Sequence, residues 1–222
     1  IIMPIFKDYA NFYNSIYKNK PYEQEAEFVY NWANKPKNIL SLGCGTGEYE
    51  KYWCKKARII GIDSSKEMLD NAYQHPNIKY FVHSIENLEK FPYCPSDCVV
   101  ALFNVMGYCL LEECLPYLPL KKGGYLIFDN WDASKFSKQP SQPRVKYFDY
   151  GYRVSVTEQI SKRLLRIDFI IVEQKKIKVF ERHWVQGYFH KDIQDLCKKY
   201  GYKIAGIKRT KTWSCWFKLQ KL

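Results

Sequence analysis

Hydrophobic and polar positions recur with a helical period over the first forty residues. Apolar side chains stand three or four positions apart, as at Tyr9, Phe12 and Ile16, which places them on one face of a helix. A second helical segment, 25–32, follows a Lys-Pro break in the pattern. The spacing therefore predicts a helical cap over residues 1–37.

Between residues 38 and 131, short apolar runs alternate with helical periods. The runs are rich in Val, Ile and Leu, which is typical of parallel strands that helices cover on both faces. The predicted strands are 38–42, 58–62, 78–82, 97–103 and 124–129, and the predicted helices are 48–56, 65–73 and 111–117. This alternation predicts an α/β fold.

After residue 131 the period changes to two. The Ser-, Pro- and Gln-rich stretch 133–143 is typical of a loop, and residues 144–188 alternate as antiparallel strands do. A helix at 191–200 and strands at 202–208 and 212–219 are predicted to follow.

Together these elements predict one domain over residues 1–222. Residues 38–131 would form the main part of a Rossmann-like, doubly wound, mostly parallel seven-stranded sheet with helices on both faces. Residues 132–189 would be an antiparallel insertion after the fifth strand, and residues 190–222 a helix and hairpin that complete the sheet.

Composition narrows the possible settings and partners. The net charge of +12 would attract an anionic partner, although the lysines are scattered singly and in pairs. The eight cysteines form no C-x-x-C pair, which favours reduced thiols and no metal site. No apolar run approaches the roughly 20 residues of a membrane span, and the first residues do not resemble a secretion signal. We expect a cytoplasmic protein, either a monomer or a homodimer.

The sequence ILSLGCGTGEYE, residues 39–50, places Gly43, Gly45 and Gly47 directly after an apolar strand. A phosphate-binding loop would need Lys and Ser or Thr after the last glycine, and a dinucleotide fingerprint would need Gly or Ala at position 48. Position 48 is Glu, which would repel a pyrophosphate. Asp63 lies 20 residues after Gly43 at the end of the next strand, where it could accept both ribose hydroxyls of a nucleoside.

The segment LSLGCGTGEYEKYW is similar to motif I of class I S-adenosylmethionine-dependent methyltransferases. The segments GIDSSKEML, DCVVALFNVMGYC and LKKGGYLIFDNW resemble later parts of the same family in the same order, within residues 39–131. YFVHSIENL also aligns, with Ser84 near the usual acidic position. The resemblance implies that S-adenosylmethionine is bound by Tyr9, Tyr17, Gly43, Cys44, Gly45, Gly47, Asp63, Ser64, Met68, Ser84, Ile85, Phe103 and Asn104.

The fourth strand favours a small-molecule acceptor. It ends in Phe-Asn-Val-Met-Gly-Tyr and lacks the Asp/Asn-Pro-Pro-Tyr/Phe and Pro-Cys motifs of the family's nucleic-acid methylases. The terminal regions resemble enzymes that methylate sugar nucleotides and glycine-like amines. We expect methylation of an O or N atom of an anionic metabolite such as a sugar nucleotide or glycan precursor. The alternatives are an RNA methyltransferase that uses the basic surface and a nucleoside-binding module without catalysis.

His183 is the candidate general base, because it is the only histidine in the segment expected to cover the acceptor. A structural histidine remains the alternative. Asn104 and Tyr13 are the other candidate catalytic residues, although the tyrosines of the first helix could simply pack. The predicted acceptor-binding residues are Trp131, Arg144 and Tyr108.

Overall fold

Two helices form a cap at the start of the chain in the computed structural model, which describes residues 6–92, 95–136, 142–210 and 213–222. Helix α1 spans Ala10–Tyr17 and helix α2 spans Tyr22–Trp32. Their apolar faces are buried, as the three- and four-residue spacing predicts.

Seven strands form the central sheet. They are β1 (Asn38–Leu42), β2 (Arg58–Asp63), β3 (Ile78–Val82), β4 (Ser96–Ala101), β5 (Leu120–Trp131), β10 (Tyr202–Arg209) and β11 (Ser214–Lys221). Their order is β10-β11-β5-β4-β1-β2-β3, in which β5, β4, β1, β2 and β3 are parallel. The last two strands run antiparallel as a hairpin at one edge.

Helices cover both faces of this sheet. They are α3 (Glu50–Trp53), α4 (Lys66–Asp70), α5 (Leu111–Cys114) and α6 (His190–Tyr200). Neighbouring residues of β5 belong to opposite cores: Leu126 and Phe128 pack on the side of α5 and α6, and Ile127 packs on the side of α2 and α3. The predicted Rossmann-like, doubly wound sheet is confirmed.

A second, four-stranded antiparallel sheet follows β5. Its strands are β6 (Arg144–Phe148), β7 (Gly151–Gln159), β8 (Leu164–Glu173) and β9 (Lys176–Gln186), paired in that order. Its inner face packs Ile167, Phe169 and Ile171 against Tyr9 and Ile16 of the cap region, which forms a third core. The predicted antiparallel insertion is confirmed, and it covers helix α1.

Several element boundaries differ from the predicted ones. Helix α3 is only four residues long, and the chain after Trp53 turns towards β2. Strand β5 begins at Leu120 rather than at 124, because residues before the left-handed Gly123 still pair with β4 across a register shift. The predicted loop 133–143 and the last strand both include residues outside the described ranges.

Within the described ranges, none of the helices combines the length and apolar character that a membrane crossing needs. The same ranges contain no group of three His, Cys, Asp or Glu side chains arranged to hold a metal ion.

The glycine turn is required partly by packing inside the protein. Gly47 has φ +73°, and a Cβ there would lie 2.2 Å from the hydroxyl oxygen of Tyr80. A Cβ on Gly43, at φ +58°, would lie 2.7 Å from the side chain of Val105. These two glycines therefore let β3 and the segment after β4 approach the turn closely.

We predict that Gly47→Ala destabilises the protein more than Gly123→Ala does. Both positions have a left-handed backbone, but a Cβ at Gly123 would meet no atom within 4 Å. Gly123→Ala, the control, should therefore lose only about 1 kcal/mol in free energy of unfolding, from backbone strain. Gly47→Ala should lose more, because its Cβ also clashes with Tyr80. Urea unfolding of both variants measures the difference, and equal losses would contradict the packing explanation.

Candidate active site

A cleft of about 350 Å³ lies at the carboxyl ends of β1, β2 and β4, between the sheet, the cap and the inserted sheet. This is where parallel sheets bind ligands, because helix starts and loops converge there. The predicted residues that line it are Tyr13, Tyr17, Gly43, Cys44, Gly45, Asp63, Ser64, Met68, Ser84, Ile85, Phe103, Asn104, Tyr108 and Trp131.

Asp63 ends β2 and holds the glycine turn. Its Oδ2 accepts the backbone N–H of Gly45 at 2.8 Å, and its Oδ1 accepts that of Ser65 at 2.9 Å. Burial raises the pKa of Asp63, although these backbone hydrogen bonds oppose the rise. A carboxylate oxygen can accept a second hydrogen bond, so both oxygens keep capacity for hydroxyls in the cleft.

The tip of β4 has an unusual backbone. Phe103 and Asn104 both adopt positive φ, at +69° and +60°, which costs about 1 kcal/mol or more for a residue with a side chain. The Asp129 carboxylate accepts the backbone N–H of Asn104 at 2.9 Å, and the Asn104 side-chain oxygen accepts that of Trp131 at 3.1 Å. These bonds stabilise the turn and direct Phe103 to the cleft. Asn104 therefore positions Phe103 and Trp131.

Four predicted site residues lie outside the cleft lining. Gly47 packs against Tyr80. Tyr9 is buried between α1 and the inserted sheet, where its hydroxyl lies 3.3 Å from that of Tyr17. Arg144 is exposed on the edge strand β6. It pairs with Ser155 of β7, which pairs with Phe169 of β8, so Arg144 and Phe169 lie on the same face of the inserted sheet.

The fourth, His183, is completely buried on β9 behind the cleft wall. Its Nδ1 lies 3.1 Å from the Tyr108 hydroxyl, and its Nε2 lies 3.0 Å from the Glu181 carboxylate. The rings of Phe6 and Phe169 contact it edge to face at centroid distances of 4.8 Å. His183 therefore lies behind the cleft lining, with Tyr108 between it and the cleft.

Glu181 also connects the inserted sheet to the cap. Its carboxylate accepts the backbone N–H groups of Phe6 and Tyr9 at 3.0 and 3.2 Å. Burial by itself would raise the pKa of Glu181, but the hydrogen bonds from His183 and from these two N–H groups hold the pKa below its ordinary value. Glu181 is thus an ionised acceptor that lies partly buried beneath the cap.

The sequence interpretation missed several residues of the site. Arg153 of β7 donates from Nη1 to the hydroxyls of Tyr9 and Tyr17, at 3.1 and 2.7 Å, and so connects β7 to α1. Glu50, at the start of α3, lines the cleft although it is fully shielded from solvent, and neither carboxylate oxygen has a well-formed hydrogen bond. Its place three residues after Gly47 was the only sequence signal for it.

The cleft lining is aromatic and acidic. Nine aromatic side chains line it: Phe6, Tyr13, Tyr17, Tyr22, Tyr49, Phe103, Tyr108, Trp131 and Phe169. Four carboxylates, of Glu48, Glu50, Asp63 and Glu86, also line it, whereas no Lys, Arg or His does among the described residues. Basic groups lie behind this lining, since the Nζ of Lys20 is 4.9 Å from the ring centroids of Tyr22, Tyr49 and Phe103.

Residues 39–118 match the methyltransferase domain family. The match contains the glycine turn, Asp63 and the tip of β4. This part of the chain is similar to methyltransferase domains. Over these residues the match agrees with the expected resemblance to S-adenosylmethionine-dependent methyltransferases.

Two curated proteins show how much of this chain has relatives of known sequence. A Geobacillus protein (strain WCH70), provisionally named a methyltransferase, is 29% identical over 141 residues, which is 56% of each protein. An uncharacterised protein of Methanocaldococcus jannaschii is 28% identical over 202 residues, which is 88% of this chain and 74% of that protein. The chain thus spans about half the length of the Geobacillus relative.

Solved methyltransferase structures share the complete fold. An S-adenosylmethionine-dependent methyltransferase from Clostridium acetobutylicum superposes with a TM-score of 0.80, at 20% identity over 96% of this chain and 97% of that one. The amino pentose methyltransferase CalS10 from Micromonospora echinaspora gives 0.78, at 16% identity over 99% and 98%. The sugar N-methyltransferase KedS8 from a Streptoalloteichus species gives 0.76, at 15% identity over 96% and 93%.

The residues of this chain fit S-adenosylmethionine. The cofactor is a nucleoside that carries a sulfonium and an amino acid, without phosphate. Asp63 retains acceptor capacity for ribose hydroxyls, and Gly45 lines the cleft beside Met68, whose methyl group would lie 3.0 Å from an added Cβ. The aromatic walls suit a ligand with positive charge, and the buried Glu50, whose oxygens lack a well-formed hydrogen bond, lines the same cleft.

We predict that Glu50→Gln stabilises the ligand-free protein above neutral pH. Burial raises the pKa of Glu50 from 4.5 to about 7, so the folded state keeps a proton that the unfolded state releases. Stability is therefore lost as the pH rises from about 4.5 to about 7, by roughly 3 kcal/mol at 1.36 kcal/mol per pKa unit. Glu50→Gln should remove this loss.

Urea unfolding at pH 5 and pH 8 tests the prediction. Glu48→Gln is the matched control, because it makes the same charge change at a partly exposed position two residues earlier. We expect a higher free energy of unfolding at pH 8 for Glu50→Gln alone. An equal gain in both variants, or no gain in Glu50→Gln, would contradict the raised pKa of Glu50.

Proposed function

We propose that this protein transfers a methyl group from S-adenosylmethionine to an amine nitrogen of a small molecule such as an amino sugar. The lining of the cleft carries this proposal. Aromatic rings and carboxylates attract ammonium groups, by cation–π interaction and by charge. A cationic or neutral acceptor is therefore favoured over the anionic one that the overall charge suggested.

The family and its structural neighbours agree with this proposal. CalS10 is named as an amino pentose methyltransferase, and KedS8 as a sugar N-methyltransferase. Both superpose over nearly the whole of this chain, which includes the inserted sheet. Their identity to this chain is low. The amine acceptor is therefore supported mainly by the side chains that line this chain's own cleft.

The chain's residues would act mainly by binding and orientation. The cofactor, when bound, supplies an activated methyl group on a sulfonium. Asp63 would hold its ribose, and the positive-φ turn at Phe103 and Asn104 would border the reacting end. Tyr13 and Trp131 line the cleft from the cap and from β5, where they would exclude water and orient an acceptor.

The two alternatives have less support. An RNA acceptor would require basic groups beside the reacting end, and the described lining contains none. A binding module without catalysis would have its acceptor space filled by aromatic side chains. Trp131 borders an open cleft instead, and Trp184 is half exposed on β9, away from the described lining.

We predict that the protein binds S-adenosylhomocysteine and that Asp63→Asn weakens this binding about 100-fold. The change removes charge-assisted hydrogen bonds to the ribose, each worth roughly 1.5–3 kcal/mol. Isothermal titration measures the dissociation constant. Asp70→Asn, at the exposed Lys66–Asp70 pair, is the control and should bind as the wild type does.

Asp63 also holds the glycine turn, so circular dichroism and thermal unfolding must show that Asp63→Asn is folded. Folded variants with equal affinity for S-adenosylhomocysteine would contradict the assignment of the ribose site.

We predict methyl transfer to amino sugars and not to their hydroxyl counterparts. Mass spectrometry of reactions with S-adenosylmethionine and matched amino and hydroxy sugars, free and nucleotide-linked, measures the mass gain of one methyl group. Transfer to short RNA oligonucleotides is measured in parallel. Methylation of RNA or of the hydroxy sugars alone would overturn the proposed amine acceptor.

A further inference from the structure

Three side chains form a continuous hydrogen-bonded line from the cleft to the base of the cap. Tyr108 lines the cleft, His183 lies behind it, and Glu181 lies behind His183. The two links measure 3.1 and 3.0 Å, which are ordinary hydrogen-bond lengths. Tyr108 is the only member of this line that lines the cleft.

The partners determine where the protons of this line lie. The Glu181 carboxylate can only accept, so the nitrogen facing it, Nε2 of His183, carries a hydrogen. In the neutral ring Nδ1 is then an acceptor, and Tyr108 donates its hydroxyl hydrogen to it. Burial raises the pKa of Tyr108, which keeps this hydroxyl protonated in the resting protein.

The Glu181 carboxylate and two aromatic rings surround His183. Glu181 supplies a negative charge 3.0 Å away. Asp168 is nearby on β8 and is paired with Arg182 on the outer face of the inserted sheet. The aromatic rings of Phe6 and Phe169 exclude water from His183.

We propose that Tyr108 is the catalytic residue that takes a proton from the acceptor amine, and that His183 and Glu181 are the positioning residues that receive and balance it. This inference rests on the proposed function. An amine exists mainly as an ammonium near neutral pH and must lose a proton before its lone pair can react.

The proton transfer balances within the line. An N–H bond of the ammonium breaks and an O–H bond forms at Tyr108. The original O–H bond of Tyr108 breaks and an N–H bond forms at Nδ1 of His183. The acceptor changes from a cation to a neutral amine, and His183 changes from neutral to a cation beside the Glu181 carboxylate, so the total charge is unchanged.

The last member of the line is also one of the contacts between the cap and the inserted sheet. Glu181 accepts the backbone N–H groups of Phe6 and Tyr9 as well as His183. The carboxylate is therefore held in place by the cap, and the proton path is complete when the cap is docked on the inserted sheet.

Nitrogen NMR of the protein without ligands tests the resting arrangement. The chain has four histidines, so labelling histidine with ¹⁵N gives few signals, and a His183→Gln spectrum identifies the signal of interest. From the hydrogen-bond partners we expect hydrogen on Nε2 of His183 and none on Nδ1. Tyr108→Phe should shift the Nδ1 signal and leave Nε2 in place. Hydrogen on Nδ1 in the resting protein would overturn the proposal.

Turnover of an amino sugar tests the transfer. Tyr108→Phe should lower kcat about 100-fold, the usual loss for a general base, and Glu181→Gln about 10-fold. Affinity for S-adenosylhomocysteine should be unchanged in both. Tyr30→Phe is the matched control, because its hydroxyl contacts only the Lys56 carbonyl at 3.5 Å among the contacts of the described chain, and it should retain full kcat.

The outcomes separate this inference from the proposed function. A wild-type protein that binds the cofactor product and methylates no amine would overturn the proposed function and the proton path with it. A wild-type protein that methylates amines, combined with a folded Tyr108→Phe variant of unchanged kcat, would overturn the proton path alone.

Discussion

The parallel strands are buried on both faces, and this burial determines where polar side chains can meet a ligand. Leu126, Ile127 and Phe128 show the constraint, since successive side chains of β5 are committed to opposite cores. Polar groups can meet a ligand only where the strands end and the backbone leaves the sheet. Asp63 after β2 and Asn104 after β4 occupy such ends, and the cleft forms between them.

The cap and the inserted sheet complete the cleft, and they depend on each other. Tyr9 packs on Phe169, Arg153 donates to Tyr9 and Tyr17, and Glu181 accepts backbone N–H groups from the cap. These contacts place aromatic rings over the ends of the strands. The result is a cleft whose walls are mainly aromatic rings and carboxylates.

Charge is distributed unevenly between the surface and the cleft. The chain has twelve more basic than acidic side chains, yet the described cleft lining has four carboxylates and no basic group. Net charge is a property of the whole surface, whereas acceptor choice depends on the few groups within reach of the reacting atom. This difference is why the acceptor we propose is an amine, although the overall charge suggested an anion.

The sequence by itself determined the sheet, the glycine turn and the acidic residue after β2, because strand period, turn chemistry and a 20-residue spacing are local patterns along the chain. Only the tertiary structure showed that Gly47 accommodates Tyr80, that Asn104 positions Trp131, and that Arg144 lies at an exposed edge. It also placed His183 behind Tyr108, 75 residues away in the chain. Such contacts depend on how the inserted sheet docks on the cap, and no local spacing in the sequence records that docking.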